Sequence, residues 1–149
     1  MPRSFTNLLY HIVFSTKERR PFITPDIESR VYDYVGGIVH RTGGILLDIN
    51  GMPDHVHLQV RWRTDKSVSE LVRDVKSNSS GWIHRTFPEE WAFGWQGSYA
   101  AFSVSASQRG RVSNYIQGQK SHHAKQDYMA ELKALLKAHE ITIDEQYLK

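Results

Sequence analysis

Apolar and polar residues alternate with a period of two in the first part of the 149-residue chain. From Phe5 to Ser15, Leu8, Tyr10, Ile12 and Phe14 interleave with Asn7, Leu9, His11 and Val13, which predicts a strand buried on both faces near the middle of a sheet. The period then changes to that of a helix. Thr24-Pro25-Asp26 opens it, with threonine as cap, proline in the first turn and a carboxylate favoured by the helix dipole. Ile27, Val31, Tyr34, Val35, Ile38 and Val39 follow at helical spacing, and Gly43-Gly44 ends the run. Ile45 to Ile49 predicts a second strand and His55 to Trp62 a third. Asn50-Gly51 with Met52-Pro53-Asp54 supplies turn chemistry between them, so the two form an antiparallel hairpin. Ser67-Val68-Ser69-Glu70 fits a capping box, and Val68, Leu71, Val72, Val75, Trp82 and Ile83 lie on the inner side of the helix behind it. Tyr99 to Val104 predicts a fourth strand, and Ser105 to Gly110 a flexible connection. A third helix over about 107–120 carries Val112, Tyr115, Ile116 and Gln119. Tyr128 to His139 predicts a fourth helix, and the tail from Ile141 is short and partly extended.

The order strand, helix, strand, strand, helix, strand predicts an α+β fold. Short connections and right-handed crossovers make it a ferredoxin-like split βαβ antiparallel sheet, with appended C-terminal helices. In that topology the first and third strands are central. The length suits one domain over 1–149, with a C-terminal extension over about 121–149.

Lys and Arg number 19 against 16 Asp and Glu, a net charge of +3, with a pI near 9.2. This mild excess favours an anionic partner. The absence of cysteine excludes disulfides, thiolate zinc sites and a cysteine nucleophile. No apolar run is long enough to span a bilayer, so the expected compartment is the cytoplasm.

Candidate chemistry lies in two short runs. Side chains at i and i+2 of a strand share a face, so in Met52-Pro53-Asp54-His55-Val56-His57-Leu58 the two imidazoles project together and can share a metal ion. The competing reading is two histidines satisfied within a core. In Tyr115-Ile116-Gln117-Gly118-Gln119, Tyr115 and Gln119 are four apart and share a helical face. The Gln119 carbonyl oxygen is a workable ligand. Two imidazoles and one amide make a neutral set of nitrogen and oxygen donors, suited to Mg²⁺ or Mn²⁺ acting on a phosphate, although imidazole also suits Zn²⁺. A phenol with its usual pKa of about 10 is a poor nucleophile unless a cation assists it. For Tyr115 alone, the favoured reading is a core tyrosine with its hydroxyl hydrogen-bonded.

Together these runs resemble the single-tyrosine HUH transposases of small bacterial insertion sequences, the IS200-like family. HUH denotes histidine, bulky apolar residue, histidine, here His55-Val56-His57. The segments from Tyr10 to Phe22 and from Trp95 to Ser105 also resemble that family, so the likeness covers nearly the whole chain. It implies a nuclease acting on single-stranded DNA, with His55, His57 and Gln119 as metal ligands and Tyr115 as nucleophile. Such an enzyme cuts and rejoins strands at transposon ends, recognised through hairpins, by way of a 5′-phosphotyrosine. The host is then bacterial or archaeal and the assembly a homodimer, in which the tyrosine helix serves its own subunit or its partner. Gln59 departs from the family, which often has a second leucine there, but it shares the histidine face.

Lys17, Arg19, Arg20, Arg73, Lys76, Arg109, Arg111 and Lys120 are candidate phosphate contacts. Trp62, Trp82, Trp91, Trp95 and Phe93 include candidates for stacking on unpaired bases, with Trp82 and at least one other in the core. His122-His123 makes a poor metal pair, because neighbours on a helix diverge by about 100°. Three alternatives stand beside the transposase: a domesticated relative processing repeated palindromes, a non-catalytic DNA-hairpin-binding regulator, and a metal-dependent phosphohydrolase in which water attacks.

Overall fold

Strands β1 (Leu8–Ser15) and β3 (His55–Trp62) occupy the middle of a four-stranded sheet ordered β2-β3-β1-β4, in which β2 spans Ile45–Met52 and β4 spans Ala100–Val104. This computed structural model describes residues 4–123 and 126–144. Every neighbouring pair runs antiparallel. Helix α1 (Pro25–Arg41) links β1 to β2, and α2 (Val68–Thr86) links β3 to β4. Each connection passes an intervening strand, which is the expected split βαβ arrangement.

The alternation of β3 separates two cores. Val56, Leu58, Val60 and Trp62 face α1 and α2, where they join Ile12 and Phe14 of β1 and Ile27, Val31, Val35, Ile38, Leu71, Val75 and Ile83. Each such side chain contributes about 1.5–3 kcal/mol when fully buried. His55, His57 and Gln59 face the other way and are equally buried. That second face is covered by α3 (Arg109–Gln117), α4 (Gln119–His122) and α5 (Tyr128–Ala138). Its apolar part is a smaller cluster of Val13, Phe102, Tyr128, Leu132 and Leu136.

Several local features differ from the sequence expectations. Thr24 stands at the N-cap of α1, but its hydroxyl bonds the Asp26 carboxylate, and its carbonyl accepts from Ile27 and Glu28 instead. Ser67 does cap α2, accepting from the Glu70 amide at 3.1 Å. The β2–β3 link is tighter than predicted, because pairing continues to Met52 opposite His55 and leaves only Pro53-Asp54 between the strands. Residues 105–110 are no open connection: a 3-10 turn over Ala106–Gln108 runs directly into α3. The tyrosine helix is also not continuous to 120. It breaks at Gly118, whose amide bonds Asn114 and whose carbonyl starts α4 by accepting from Ser121 and His122. Glycine is a weak helix former, and the break means that Tyr115 and Gln119 do not share one unbroken helical face. Residues 141–144 have no regular structure, and 145–149 of the predicted tail lie outside the described residues.

The aromatic candidates sort by burial. Trp62 is 4% exposed and Phe93 likewise 4%, so neither can stack on a base. Trp82 and Trp95 pack against the first core, and the Trp95 indole N–H donates to Ser79 at 2.9 Å. Trp91, at 79% exposure, is the one open indole among the five aromatic candidates.

The tight hairpin imposes a steric limit at Gly51. A Cβ there would lie 2.1 Å from the His55 carbonyl oxygen and 2.9 Å from Val56 Cα, both backbone atoms of β3. Gly51→Ala should therefore lower the stability by about 1–3 kcal/mol. Gly97→Ala, where a Cβ meets nothing within 4 Å, should change it by less than about 0.5 kcal/mol. Urea unfolding midpoints test this, and equal midpoints for the two variants would refute it.

Candidate active site

The hairpin turn positions the first imidazole. The Asp54 carbonyl accepts from the Thr16 amide at 2.9 Å and the Pro53 carbonyl from the Ile23 amide at 3.0 Å, anchoring the turn to the segment after β1. The Asp54 carboxylate then holds His55 Nδ1 at 2.8 Å. The second imidazole is oriented across the sheet. His11 pairs in register with Gln59, so it reaches His57 on the diagonal, and His11 Nε2 and His57 Nδ1 are hydrogen-bonded across 2.8 Å. Both outer nitrogens are thus engaged, and both Nε2 atoms turn toward one point. Metal-binding histidines are commonly held this way by outer partners.

At that point lies a residue that the sequence reading missed. Glu131, in the first turn of α5, is 1% exposed. Its Oε1 lies 2.9 Å from His57 Nε2, 3.3 Å from His55 Nε2 and 3.0 Å from His123 Nε2. Its Oε2 accepts from the Tyr115 hydroxyl and, at 2.9 Å, from the Gln119 amide. The Gln119 carbonyl oxygen faces His55 Nε2 at 3.2 Å. The only trace of this in the sequence is one carboxylate interrupting the apolar stripe Tyr128, Leu132, Leu135, Leu136. Such an acid is ordinarily solvated, so the stripe alone gives no reason to bury it.

Burial opposes the charge on every group here, and the hydrogen bonds decide the outcome. Burial disfavours the Glu131 carboxylate, yet His55, His57 and Tyr115 hold its pKa far below the usual carboxylate range. His55 is likewise desolvated, but Asp54 and Glu131 raise its pKa above the ordinary histidine value. For His57 burial prevails over Glu131 and the pKa falls. His11, with burial and then His57 against it, is pushed down to about 3. Burial and the adjacent Glu131 raise the Tyr115 phenol above its ordinary value.

His55, His57 and Glu131 present ligand atoms that all lie within 4.8 Å of one another. Two imidazoles, a carboxylate and the adjacent Gln119 amide form a buried nitrogen and oxygen donor set without thiolate. Its composition is that of a divalent-metal site. The expected trio of His55, His57 and Gln119 is brought together, but with Glu131 among them the set is anionic rather than neutral.

Tyr115 lies beside the histidines of its own chain, its ring centroid 5.7 Å from that of His57. A polar network docks α3 there. The Ser113 hydroxyl donates to Asp48 Oδ2 at 2.6 Å, the Gln59 amide to the same oxygen at 2.8 Å, and the Asn50 amide to the Gln117 carbonyl at 3.2 Å. Gln59 is therefore a clamp for the tyrosine helix. His122 and His123 diverge as predicted: the His122 ring lies 4.7 Å from Tyr115, whereas His123 reaches Glu131.

The basic candidates divide into two groups. The Lys76 ammonium donates to the carbonyls of Gln96 at 2.6 Å and Ser98 at 2.8 Å, and burial pushes its pKa down to about 8. Lys120 bridges Glu28 and Asn50 at 3.1 Å each and donates to the Gly51 carbonyl. These two lysines tie the fold together. Lys17, Arg19, Arg20, Arg73, Arg109 and Arg111 are exposed. Of these, Arg19 donates to Met129 Sδ at 3.3 Å and Arg20 pairs with Glu18 at 3.2 Å.

The sequence model of the family described as "Transposase IS200 like" matches residues 4–119. The ISDra2 transposase TnpA of Deinococcus radiodurans is 26% identical over 117 residues, covering 75% of this chain and 84% of that protein. A crystal structure of a candidate transposase from Deinococcus radiodurans superposes with a TM-score of 0.64 at 25% identity, covering 80% of this chain and 96% of the other. The structure of a REP-associated tyrosine transposase bound to a REP hairpin gives a TM-score of 0.61 at 12% identity, covering 83% and 73%; at that identity it shows the shared fold. The family match ends at Gln119, so α5 and Glu131 lie beyond it.

Asp48→Ala should leave the Gln59 amide and Ser113 hydroxyl without their shared acceptor. The expected cost is about 1–3 kcal/mol, with faster hydrogen exchange concentrated in α3. Unchanged α3 exchange would show that the network does not hold the tyrosine helix.

Proposed function

This chain belongs to the IS200-like transposase family, and on that premise we propose that it cuts and rejoins single-stranded DNA through Tyr115. The cation is Mg²⁺ or Mn²⁺, held by His55, His57, Gln119 and Glu131. The observation that carries this reading is convergence: the phenol and both imidazole Nε2 atoms meet on the one Glu131 carboxylate. DNA transposition is the family's activity, and the strand chemistry is our inference from these residues.

Within the site, Tyr115 is oriented by Glu131 Oε2, the acceptor of its hydroxyl proton. The Tyr115 oxygen forms a bond to the phosphorus of the scissile phosphodiester while the P–O3′ bond breaks. The phenolic proton passes to water and the departing 3′ oxygen takes one from water, leaving a 5′-phosphotyrosine and a 3′-hydroxyl end. Attack by another 3′-hydroxyl reverses these changes and reseals a strand without ATP. A bound divalent cation supplies charge stabilisation to the phosphate and leaving oxygen. His11 and Asp54 keep the imidazoles in place throughout.

The partner in this reading is single-stranded DNA carrying hairpins, as in the REP-associated transposase solved with its hairpin. Lys17, Arg19, Arg20, Arg73, Arg109 and Arg111 supply salt-dependent contacts to its phosphates. We further propose a homodimer in which each site is completed within one chain, supported by the docking of α3 on its own sheet through Asp48, Gln59 and Ser113. No helix among the described residues is long and apolar enough to cross a membrane.

Incubation with hairpin-bearing single-stranded DNA and Mn²⁺, followed by denaturing gels, should give a covalent protein–DNA adduct that Tyr115→Phe abolishes. Cleavage persisting in that variant would assign the attack to water, and binding without cleavage would indicate a regulator. Mixing His57→Ala with Tyr115→Phe subunits should not restore the adduct, and recovery would establish exchange between subunits. In calorimetry, Glu131→Gln and His57→Ala should each weaken Mn²⁺ binding by about tenfold or more. Unchanged affinity in Glu131→Gln would remove Glu131 from the ligand set.

A further inference from the structure

A cavity of about 480 Å³ opens beside Tyr115, between the end of β4, α3 and α5. The size falls within the range of about 300–1,000 Å³ usual for small-ligand pockets. Tyr115 itself forms part of the wall, together with His11 and Leu135. Tyr115 and His11 border this open space, whereas His55, His57 and Gln119 have no exposed surface and Glu131 has 1%. A phosphorus atom attacked by Tyr115 must come within roughly 3–3.5 Å of its oxygen. The nucleotide bonded to that phosphorus must then lie within one nucleotide's length of the phenol. This cavity adjoins the phenol.

The chemistry of the lining matches that occupant. Tyr115 and His139 offer aromatic surface, and unpaired bases stack on such surfaces. Gln108 stands at the N-cap of α3, yet its side chain makes no capping hydrogen bond, which leaves both polar ends of the amide for a base edge. Arg111 is exposed at the same cavity and forms no ion pair among the described residues, so its charge suits a backbone phosphate. The apolar contribution comes from Leu135 and Val112.

We propose that this cavity is a base-reading subsite, which receives the unpaired nucleobase next to the scissile phosphate and checks its edge through Gln108. The proposal rests on Tyr115 being the nucleophile. Its consequence is that target choice at the cut is made partly by the protein, one nucleotide from the phenol, and not by the hairpin alone.

The test uses the full chain with Mn²⁺ and a pool of hairpin oligonucleotides carrying randomised single-stranded flanks. Covalent adducts are isolated and the attached DNA is sequenced. The wild type should show a strong base preference at one position adjoining the cut. Val112→Trp, which fills the cavity, and Gln108→Ala, an exposed change, should each relax that preference by about tenfold while preferences at distant positions persist. Should Val112→Trp fail to fold, as judged by circular dichroism, Gln108→Ala still decides the matter. Adducts with no preference beside the cut, or a preference unchanged in the folded variants, would overturn the subsite while leaving Tyr115 as nucleophile. Absence of any adduct in the wild type would overturn the nucleophile, and the subsite with it.

Discussion

The carboxylate of Glu131, withdrawn from water among His55, His57, His123, Tyr115 and Gln119, is the interaction on which the second face of the sheet depends. A lone carboxylate so placed would cost several kcal/mol. The imidazole nitrogens and the phenol would be similarly costly if buried without an acceptor. Each side therefore makes the burial of the other tolerable. The apolar contacts of Tyr128, Leu132 and Leu136 with Val13 and Phe102 bring α5 to the sheet, and the carboxylate fixes where along the sheet it sits.

Orientation of the two imidazoles is decided one layer further out. His55 is held by an acid, Asp54, and His57 by a second imidazole, His11. The two are consequently unlike: one is made more basic by its partners, the other less so by burial. Both outer partners belong to the most strongly tied parts of the sheet, the β2–β3 turn and the central strand β1. A site carried on such elements keeps its geometry without reorganising when chemistry occurs. Tyr115 is attached differently. It rides on a short helix clamped by Asp48, Gln59 and Ser113, so its approach to the histidines is set by a polar network and not by strand geometry.

The positive charge of the chain is also unevenly employed. Lys76 and Lys120 are spent on carbonyls and carboxylates that join distant segments. The arginines at 73, 109 and 111 remain exposed. A count of basic residues thus overstates the surface offered to a polyanion, and sequence position alone did not distinguish the two groups.

Alternation along β3, helical spacing in α1 and α2, and turn residues between strands are local properties, and they were sufficient by themselves to determine the element order, the central place of β1 and β3, and the shared face of His55 and His57. The Tyr115 and Gln119 pair was read from spacing along one helix, whereas the helix breaks at Gly118 and the two meet instead on Glu131. Tertiary structure alone decided what meets those residues. Glu131 lies 74 residues from His57 in the chain, and His11 lies 46 residues from it. No period or local preference encodes contacts at such separations, because they arise only when α5 and β1 are packed against the same strand. Burial likewise made Trp62 a core residue and Gln59 a clamp, since whether a side chain faces water depends on which helices cover the sheet.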